Sequence, residues 1–357
     1  MVTASHNPPE YNGFKLCIGT DSIFGEDIQK IFKIISNASF SQSNGSLFTV
    51  NAIAPYKAFV EKNISIPRTL KVGLDAGNGT AGVVAVPVIK NLNCQVHDLY
   101  CDMDGTFPNH EADPTVASNL NDLIKLIREK SLDVGIAYDG DGDRIGVVDE
   151  KGNIVYGDKL VIIFAREILS RKPGVTFISD VKCSKTLFDD IEKHGGRAIM
   201  WKTGHSLIKQ KMRLEKAELA GELSGHMFFS DRFLGFDDAI YASCRLIEIL
   251  SKTGKRISDL LSDVPQTYST PEIRVSCPDE KKFVVVAKVT DFFRQCHDVI
   301  DIDGVRVLFE DGWGLIRASN TQPALVLRFE AMSEKRLAEI RELIESALEK
   351  IKKDMSV

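Results

Sequence analysis

The stretch LDVGIAYDGDGDRIGVV, residues 132–148, places three aspartates at alternate positions between two apolar segments. Both flanks are apolar and partly β-branched, which predicts a strand, a tight loop and a second strand. The intervening glycines let the loop fold so that the carboxylates of Asp139, Asp141 and Asp143 converge. Converging carboxylates repel one another unless a cation lies between them. Because ligation by carboxylates alone suits a hard divalent ion, the loop predicts a Mg²⁺ site.

Two alternatives to a Mg²⁺ loop remain open. An EF-hand also spaces acids at positions 1, 3 and 5, and Glu150 falls at its position 12. However, Arg144 stands at position 6, where the EF-hand needs glycine, and the flanks look like strands rather than helices. The other alternative is a solvated acidic turn, since Asp and Gly are common turn residues. Three aspartates followed by an arginine between two apolar strands favour the metal site.

Composition narrows the class of protein. The chain has 357 residues, which predicts two or three domains. Its net charge of -5, from 45 basic and 50 acidic residues, argues against nucleic acid as a partner. Seven cysteines without a CxxC pair indicate reduced thiols and a cytoplasmic location. Because no apolar run approaches the ~20 residues of a membrane span, we expect no membrane partner.

Strand-like and helix-like segments alternate through most of the chain, which predicts α/β units with mostly parallel strands. The clearest segments are strands at 70–75 and 175–179 and helices at 119–130 and 159–170. The end of the chain differs, because three strands precede one long helix from Ser333 to Lys353. This part predicts a separate C-terminal α+β domain. Polar, proline-containing stretches at 43–67 and 263–271 look like domain boundaries.

Two polar regions carry residues suited to nucleophilic or proton-transfer chemistry. Residues 3–9, TASHNPP, hold Ser5 beside His6, and Lys15 follows within reach. The functional interpretation is a nucleophilic or phosphate-carrying serine, and the alternative is a surface turn. Further on, KTGHS at 202–206 and GELSGH at 221–226 each contain a histidine. Their acid, hydroxyl and imidazole groups suit sugar binding and proton transfer, although ordinary structural histidines explain either loop equally well.

One more polar loop, RASNTQP at 317–323, joins two predicted strands. One arginine, two hydroxyls, an amide and free backbone N–H groups make a suitable phosphate cradle. The alternative is a polar hairpin loop without a ligand.

Four of these motifs, TASHNP, DGDGDR, GELSGH and RASNTQP, occur in the order found in the α-D-phosphohexomutase superfamily, which the chain resembles over essentially its whole length. The segments around 180–206 and 236–238 resemble the bacterial phosphomannomutase/phosphoglucomutase branch. The phosphoglucosamine mutase branch usually has DGDADR and GEQSGH, so Gly142 and Leu223 count against it.

The resemblance implies a fold of repeated α/β domains with mixed sheets around a central cleft, plus the C-terminal α+β domain. Each domain would contribute one loop to the cleft. The implied domains are 1–51, a remnant of domain I with the phosphoserine loop; 52–154, with the metal loop; 155–265, with the sugar-binding loop; and 266–357, with the phosphate-binding loop.

The resemblance also implies an activity and a role for each loop. The activity is reversible phosphoryl transfer between hexose 1-phosphate and hexose 6-phosphate, with mannose, glucose or both, through a phosphoserine and a bisphosphorylated sugar. Ser5 would carry the phosphoryl group and complete the Mg²⁺ shell of Asp139, Asp141 and Asp143. Arg144 would offset developing charge. The implied catalytic residues are Ser5, His6, Lys15, Arg144, His205 and His226, and the implied substrate-binding residues are Lys182, Glu222, Ser224, His226, Arg317, Ser319, Asn320 and Thr321.

The implied cofactors are Mg²⁺ and a hexose 1,6-bisphosphate as activator and intermediate, and the implied partners are hexose phosphates. A monomer is favoured.

Members of the superfamily that this chain resembles have further strands and a helix ahead of the serine loop, whereas this sequence opens directly on that loop. One alternative is therefore a truncated, inactive remnant that still binds Mg²⁺ and sugar phosphate. A phosphoglucosamine mutase is the other.

Overall fold

A computed structural model describes residues 1–319 and 322–355. The first part of the chain is a short hairpin followed by two helices: β1 (Cys17–Ile18), β2 (Asp21–Ser22), α1 (Glu26–Ser36) and α2 (Ile53–Asn63). Every residue of α1 is at least partly exposed, including Phe32 at 63%. In contrast, α2 is anchored, because Val60 is fully buried and the Tyr56 hydroxyl donates to Asp238 Oδ1 at 3.0 Å.

Sheet A follows, a five-stranded mixed sheet in the order β4-β3-β5-β6-β7. Its elements are β3 (Lys71–Asp75), α3 (Gly82–Asn91), β4 (Gln95–Leu99), α4 (Asn121–Lys130), β5 (Val134–Tyr138), β6 (Ile145–Val148) and β7 (Ile154–Val155). β3 pairs in parallel with β4 and β5, whereas β6 is antiparallel to both β5 and β7. Every residue of β5 and β6 is buried, as their apolar sequences predict. The DGDGDR loop is therefore the tight connection between two buried strands.

Sheet B has four strands in the order β11-β10-β8-β9. Its elements are α5 (Gly157–Arg171), β8 (Thr176–Asp180), α6 (Lys185–Lys193), β9 (Arg197–Trp201), α7 (His205–Glu215), β10 (Leu219–Gly221), β11 (Met227–Phe229), α8 (Ala239–Thr253) and the short α9 (Ile257–Leu260). β8 runs parallel to β9 and β10, and β11 is antiparallel to β10. The loops that leave the carboxyl ends of β8, β9 and β10 consequently meet at one edge of the sheet.

Sheet C contains the remaining strands, and each of its strand pairs is antiparallel. Its elements are β12 (Tyr268–Ser269), β13 (Ile273–Ser276), α10 (Asp279–Arg294), β14 (Val299–Ile300), β15 (Val305–Phe309), β16 (Gly312–Ala318), β17 (Ala324–Ala331) and α11 (Glu334–Asp354). Ser333 caps α11 by accepting from the Arg336 amide at 3.2 Å. The apolar face of this helix is buried at Ile340, Ile344 and Leu348. The predicted C-terminal α+β unit is confirmed, and it differs from the preceding part of the chain in having only antiparallel strand pairs among the described residues.

Sheets A and B share one apolar core, while sheet C has its own. The shared core runs from Val72 in β3 through α8, which is buried along almost its whole length, to Phe177 in β8. The core of sheet C lies between its strands and the helices α10 and α11. Among the described residues, no helix combines the length and apolar character that crossing a lipid bilayer requires.

Sheet C attaches to sheet B through a buried arginine. Arg306 is 1% exposed, and its guanidinium lies 3.7 Å from the centroid of the Trp313 ring. The same guanidinium donates to the carbonyl oxygens of Val181 and Cys183, both at 2.8 Å. Burial lowers the pKa of Arg306 to about 10, so it remains a cation at neutral pH. This contact holds the loop after β8 against sheet C.

A backbone contact joins the loops of sheets A and B. The Ile145 amide donates to the Gly225 carbonyl at 3.0 Å, beside an antiparallel bridge between Arg144 and His226. Gly225 has φ +93°, and a Cβ added there would lie 2.4 Å from the Ile145 carbonyl oxygen. Only glycine therefore lets the two loops approach this closely.

We expect Gly225→Ala to lower the free energy of unfolding by about 3 kcal/mol, since a positive φ and a steric clash both oppose it. Gly174→Ala is the matched control, because Gly174 has φ +79° and open space around its Cβ position. Gly174→Ala should lower the free energy of unfolding by only about 1 kcal/mol, because it adds the strain of the positive φ without a steric clash. Urea denaturation of both variants measures the difference. Equal losses would mean that the contact with Ile145 contributes nothing.

Candidate active site

The loop between β5 and β6 wraps around one carboxylate. Asp139 Oδ1 accepts from the amides of Gly142 and Asp143 at 3.0 Å and from that of Arg144 at 3.1 Å. Asp139 is fully buried. The ligand atoms of Asp139, Asp141 and Asp143 lie within 4.8 Å of one another. The loop thus brings the three predicted carboxylates to one point, and Asp139 also organises the backbone, which its sequence motif does not indicate.

The serine loop lies directly on this cluster. The Ser5 hydroxyl donates to Asp139 Oδ2 at 2.9 Å and lies 3.1 Å from His6 Nδ1. Ser5 has φ 52°, a left-handed conformation that is uncommon for serine and typical of functional sites. A Cβ on Gly140 would lie 2.1 Å from the Ser5 carbonyl oxygen, so a glycine is required for this approach. Thr3, which the sequence did not single out, donates to Asp141 Oδ2 at 2.9 Å and accepts from the Ser5 amide at 2.8 Å.

Lys15 compensates part of the negative charge. Its Nζ lies 2.9 Å from Asp141 Oδ2 and makes a still shorter contact with Asp143. Burial alone would lower the pKa of Lys15, but the charge of Asp143 and the hydrogen bonds to both aspartates raise it. For Asp141, burial acts to raise the pKa and Lys15 outweighs it, so the pKa falls below its usual value. Burial and the charges of Asp143 and Asp141 raise the pKa of Asp139 to about 7.

The carboxylates fit a divalent cation. Among the described residues, the Oδ1 atoms of Asp141 and Asp143 are buried and have no hydrogen-bond partner. Lys15 and Arg144 together still leave the three ionised carboxylates with a net negative charge. Buried oxygen ligands with uncompensated charge are what Mg²⁺ requires. The donor set is therefore suited to the ion predicted from the sequence.

Arg144 and His226 form a second layer beside the cluster. Arg144 Nε donates to His226 Nε2 at 3.0 Å, and Arg144 Nη1 lies 3.5 Å from His6 Nε2. His226 Nδ1 lies 3.2 Å from Asp237 Oδ2 and 3.5 Å from Asp143 Oδ1. The spacing of these three groups would also allow a metal ion. However, His226 Nε2 accepts the hydrogen bond from Arg144, so the proton of the neutral imidazole is on Nδ1. A protonated Nδ1 has no lone pair with which to bind a metal.

His205 lies next to this layer, at the start of α7. Its Nδ1 is 3.9 Å from Asp237 Oδ2, and its ring stacks on that of His226 with centroids 6.0 Å apart. Burial lowers the pKa of His205 to about 4, so the ring is neutral at pH 7. Asp237 therefore lies between both predicted histidines, and the sequence analysis assigned it no role.

The loops of sheet B meet at another buried aspartate, Asp180, at the carboxyl end of β8. Asp180 accepts from the Leu223 amide at 3.2 Å and from the Thr203 hydroxyl at 3.1 Å. Lys182 Nζ lies 3.7 Å from the same carboxylate. One side chain thus joins the three predicted substrate loops.

Glu222 is held by the loop after β9, and Lys182 is held by a residue of sheet C. Glu222 Oε1 accepts from the Gly204 amide at 2.7 Å, and burial raises the pKa of Glu222. Lys182 donates to Glu272 Oε1 at 2.7 Å, across to sheet C. Ser224 lies half-buried between Glu222 and His226.

The fourth predicted loop follows β16. Arg317 Nε donates to Asp303 Oδ2 at 2.9 Å, and the same oxygen accepts from the Thr203 amide at 3.1 Å. Ser319 is buried, and its hydroxyl accepts from the Gln322 amide at 3.2 Å. Asn320 and Thr321, also predicted to bind phosphate, lie outside the described residues. Hydrogen bonds and ion pairs therefore connect the predicted loops of all three sheets.

Four residues of this network, Thr3, Asp180, Asp237 and Asp303, were missed by sequence reasoning. Asp180 directly follows the strand predicted at 175–179, and Asp237 lies in the segment 236–238 that carries part of the family resemblance. Either position could have marked the residue as functional. Thr3 belongs to the quoted serine motif. Asp303 stands in a polar turn without a distinguishing signal.

Comparisons with known proteins agree with this arrangement. Family models described as phosphoglucomutase/phosphomannomutase match four successive parts: domain I at 1–42, domain II at 51–152, domain III at 156–268 and the C-terminal domain at 272–347. A phosphomannomutase/phosphoglucomutase of Pseudomonas putida is 46% identical over 100% of this chain and 77% of its own length. A phosphoglucomutase of Neisseria meningitidis serogroup A is 43% identical over 98% of this chain and 77% of its own length.

Among solved structures, a phosphoglucomutase/phosphomannomutase family protein from Burkholderia thailandensis matches with a TM-score of 0.91 and 43% identity. The match covers 98% of this chain and 76% of that one. Similarity in both sequence and fold thus extends over nearly the whole chain, through every loop described above. The chain belongs to the phosphoglucomutase/phosphomannomutase family.

Proposed function

We propose that this chain catalyses reversible phosphoryl transfer between the 1- and 6-positions of a hexose phosphate, with mannose, glucose or both as the sugar. The observation that carries the proposal is the Ser5 hydroxyl, held at 2.9 Å from Asp139 inside the carboxylate cluster. A hydroxyl in that position can take up and return a phosphoryl group next to the cation site. The names of the relatives in Pseudomonas and Neisseria support the same reaction.

In the first half-reaction, the bond between phosphorus and Ser5 Oγ breaks and a bond to a sugar hydroxyl forms. The bisphosphorylated sugar then turns over and returns its other phosphoryl group to Ser5. His6, 3.1 Å from the Ser5 hydroxyl, is suited to exchange the serine proton. Burial and the charge of Arg144 lower the pKa of His6, which keeps the imidazole neutral and able to accept that proton.

The sugar hydroxyl also loses a proton, and His205 is the better acceptor of the two predicted histidines. Its ring is neutral at pH 7, and His205 directly follows Gly204, whose amide binds Glu222. His226 already accepts from Arg144 through Nε2. We assign His226 the task of orienting Arg144 toward the serine loop.

Charge on the transferring group is offset by cations from three sources. Lys15 and Arg144 lie at the cluster and act as fixed positive charges. Asp139, Asp141, Asp143 and Ser5 would hold Mg²⁺, which when bound would neutralise the transferring phosphoryl oxygens. Lys15 would then be free to move from the aspartates to the phosphate.

The remaining loops would recognise the sugar and its second phosphate. Glu222 and Ser224 suit hydrogen bonds with hexose hydroxyls, and Lys182 lies beside them. Arg317, Ser319, Asn320 and Thr321 would bind the phosphate that is not being transferred. The sheets support domains at 1–51, 52–154, 155–265 and 266–357, with the cleft between them.

We also infer a hexose 1,6-bisphosphate as activator, since it supplies the first phosphoryl group to Ser5. A cytoplasmic monomer is our proposal for its location and state. The seven cysteines all lie within the described ranges and are free thiols, which supports a reducing compartment.

Incubation with glucose 1,6-bisphosphate should add one phosphoryl group to the chain, as measured by intact-protein mass spectrometry. Ser5→Ala should remove this addition completely, because of the two hydroxyls described as donating to the carboxylate cluster, that of Thr3 is engaged by the Ser5 amide and that of Ser5 lies beside His6. Ser22→Ala, in the nearby hairpin, is the matched control and should keep it. Phosphate mapped to another residue would overturn the role of Ser5.

Asp141→Asn should weaken Mg²⁺ binding at least about tenfold, because it removes a charge and a ligand from the site. Isothermal titration calorimetry measures this without any need for turnover. Asp27→Asn removes the same charge from the surface of α1 and should leave Mg²⁺ affinity unchanged. Equal Mg²⁺ affinity in Asp141→Asn and the parent chain would be incompatible with the site.

A further inference from the structure

Asp303 joins the loop after β16, which the proposed function assigns to the non-transferring phosphate, to the loop that carries Thr203 and His205. Its Oδ2 accepts from Arg317 Nε at 2.9 Å and from the Thr203 amide at 3.1 Å. Its Oδ1 lies 3.4 Å from Arg317 Nη2. The carboxylate therefore contacts an arginine of sheet C and the backbone just before His205 in sheet B.

The contact uses only one edge of the guanidinium. Arginine has five N–H donors, and Asp303 takes the edge formed by Nε and Nη2. Among the described residues, Arg317 Nη1 makes no hydrogen bond. The remaining donors, on Nη1 and on the second N–H of Nη2, form the end of the guanidinium, which matches the geometry of a phosphate.

The side chains in this contact are sheltered from water. The side chain of Arg317 is 8% exposed and that of Asp303 is 16% exposed. A long side chain with rotamer freedom loses less entropy on binding when a partner has already fixed it. A phosphate bound at the free end of the guanidinium would be separated from the Asp303 carboxylate by the positive charge of Arg317.

We propose that Asp303 is a positioning residue that fixes Arg317 for the non-transferring phosphate and ties it to the loop of Thr203 and His205. This inference rests on the proposed phosphate-binding role of Arg317. Asp303 would act through Arg317, without touching the substrate.

Attachment of sheet C does not depend on this contact. Arg306 bonds the carbonyl oxygens of Val181 and Cys183, and Arg328 donates to the carbonyl of Lys182. Trp313 donates to Glu330 at 2.8 Å within the same interface. Replacing Asp303 should therefore leave the sheets docked, so that an effect on ligand binding can be separated from unfolding.

The test is a double-mutant cycle on the affinity for glucose 1-phosphate, measured by calorimetry. All chains carry Ser5→Ala so that binding is not mixed with phosphoryl transfer. Asp303→Asn keeps an oxygen for the Thr203 amide and removes the carboxylate that pairs with Arg317. We expect Asp303→Asn to weaken binding about tenfold and Arg317→Ala to weaken it more.

The double variant decides between positioning and a general structural effect. If Asp303 acts through Arg317, Asp303→Asn should change affinity less than twofold once Arg317→Ala is present. Asp301→Asn is the matched control, since Asp301 is 58% exposed and pairs with Arg294 at the surface. It should bind like the parent, and thermal unfolding should show all variants folded.

Unchanged or tighter binding in Asp303→Asn would overturn this inference alone. So would full additivity in the double variant, which would indicate a structural role independent of Arg317. Unchanged binding in Arg317→Ala would instead overturn the proposed phosphate role of Arg317, and this inference with it.

Discussion

The mutual repulsion of three buried aspartates is the constraint on which the active site depends. Asp139, Asp141 and Asp143 lie too close together to be stable without nearby positive charge. Backbone amides satisfy Asp139, Lys15 contacts the other two, and Arg144 lies at the edge. Lys15 and Arg144 are also the side chains to which the proposed function assigns charge compensation in phosphoryl transfer. The charge that makes the cluster costly to bury therefore assembles the residues of the reaction around it.

The site is composite, because its loops come from separate sheets and meet only where the sheets dock. The close approach of Gly225 to Ile145 sets the loops of sheets A and B against each other. Arg306 sets the loop after β8 against sheet C. Parallel strands in sheets A and B send their loops to a common edge. Packing far from the reacting atoms thus determines distances within the site.

Much of this was predictable from motifs, because clustered acids, glycines and hydroxyls between apolar segments are local signals. Asp139 and its neighbours, Ser5 and Arg317 were all found in that way. The antiparallel pairing of the strands in sheet C was not specified by the sequence, since periodicity does not reveal strand direction. Asp180, Asp237 and Asp303 were missed because each is a single acid whose partners lie far away in the sequence. Such contacts exist only after the sheets have packed.

Trp313 places a fluorescent side chain in the interface of sheets B and C. It is one of two tryptophans in the chain, it is 1% exposed, and a cation lies 3.7 Å from its ring centroid. The other, Trp201, ends β9 and packs among residues of sheet B and α7, with Lys211 Nζ 4.3 Å from its ring centroid. A nearby cation and exclusion of water both alter the emission of an indole. One of the two indoles of this protein therefore reports on the joint between sheets B and C, and movement there is visible without an added label.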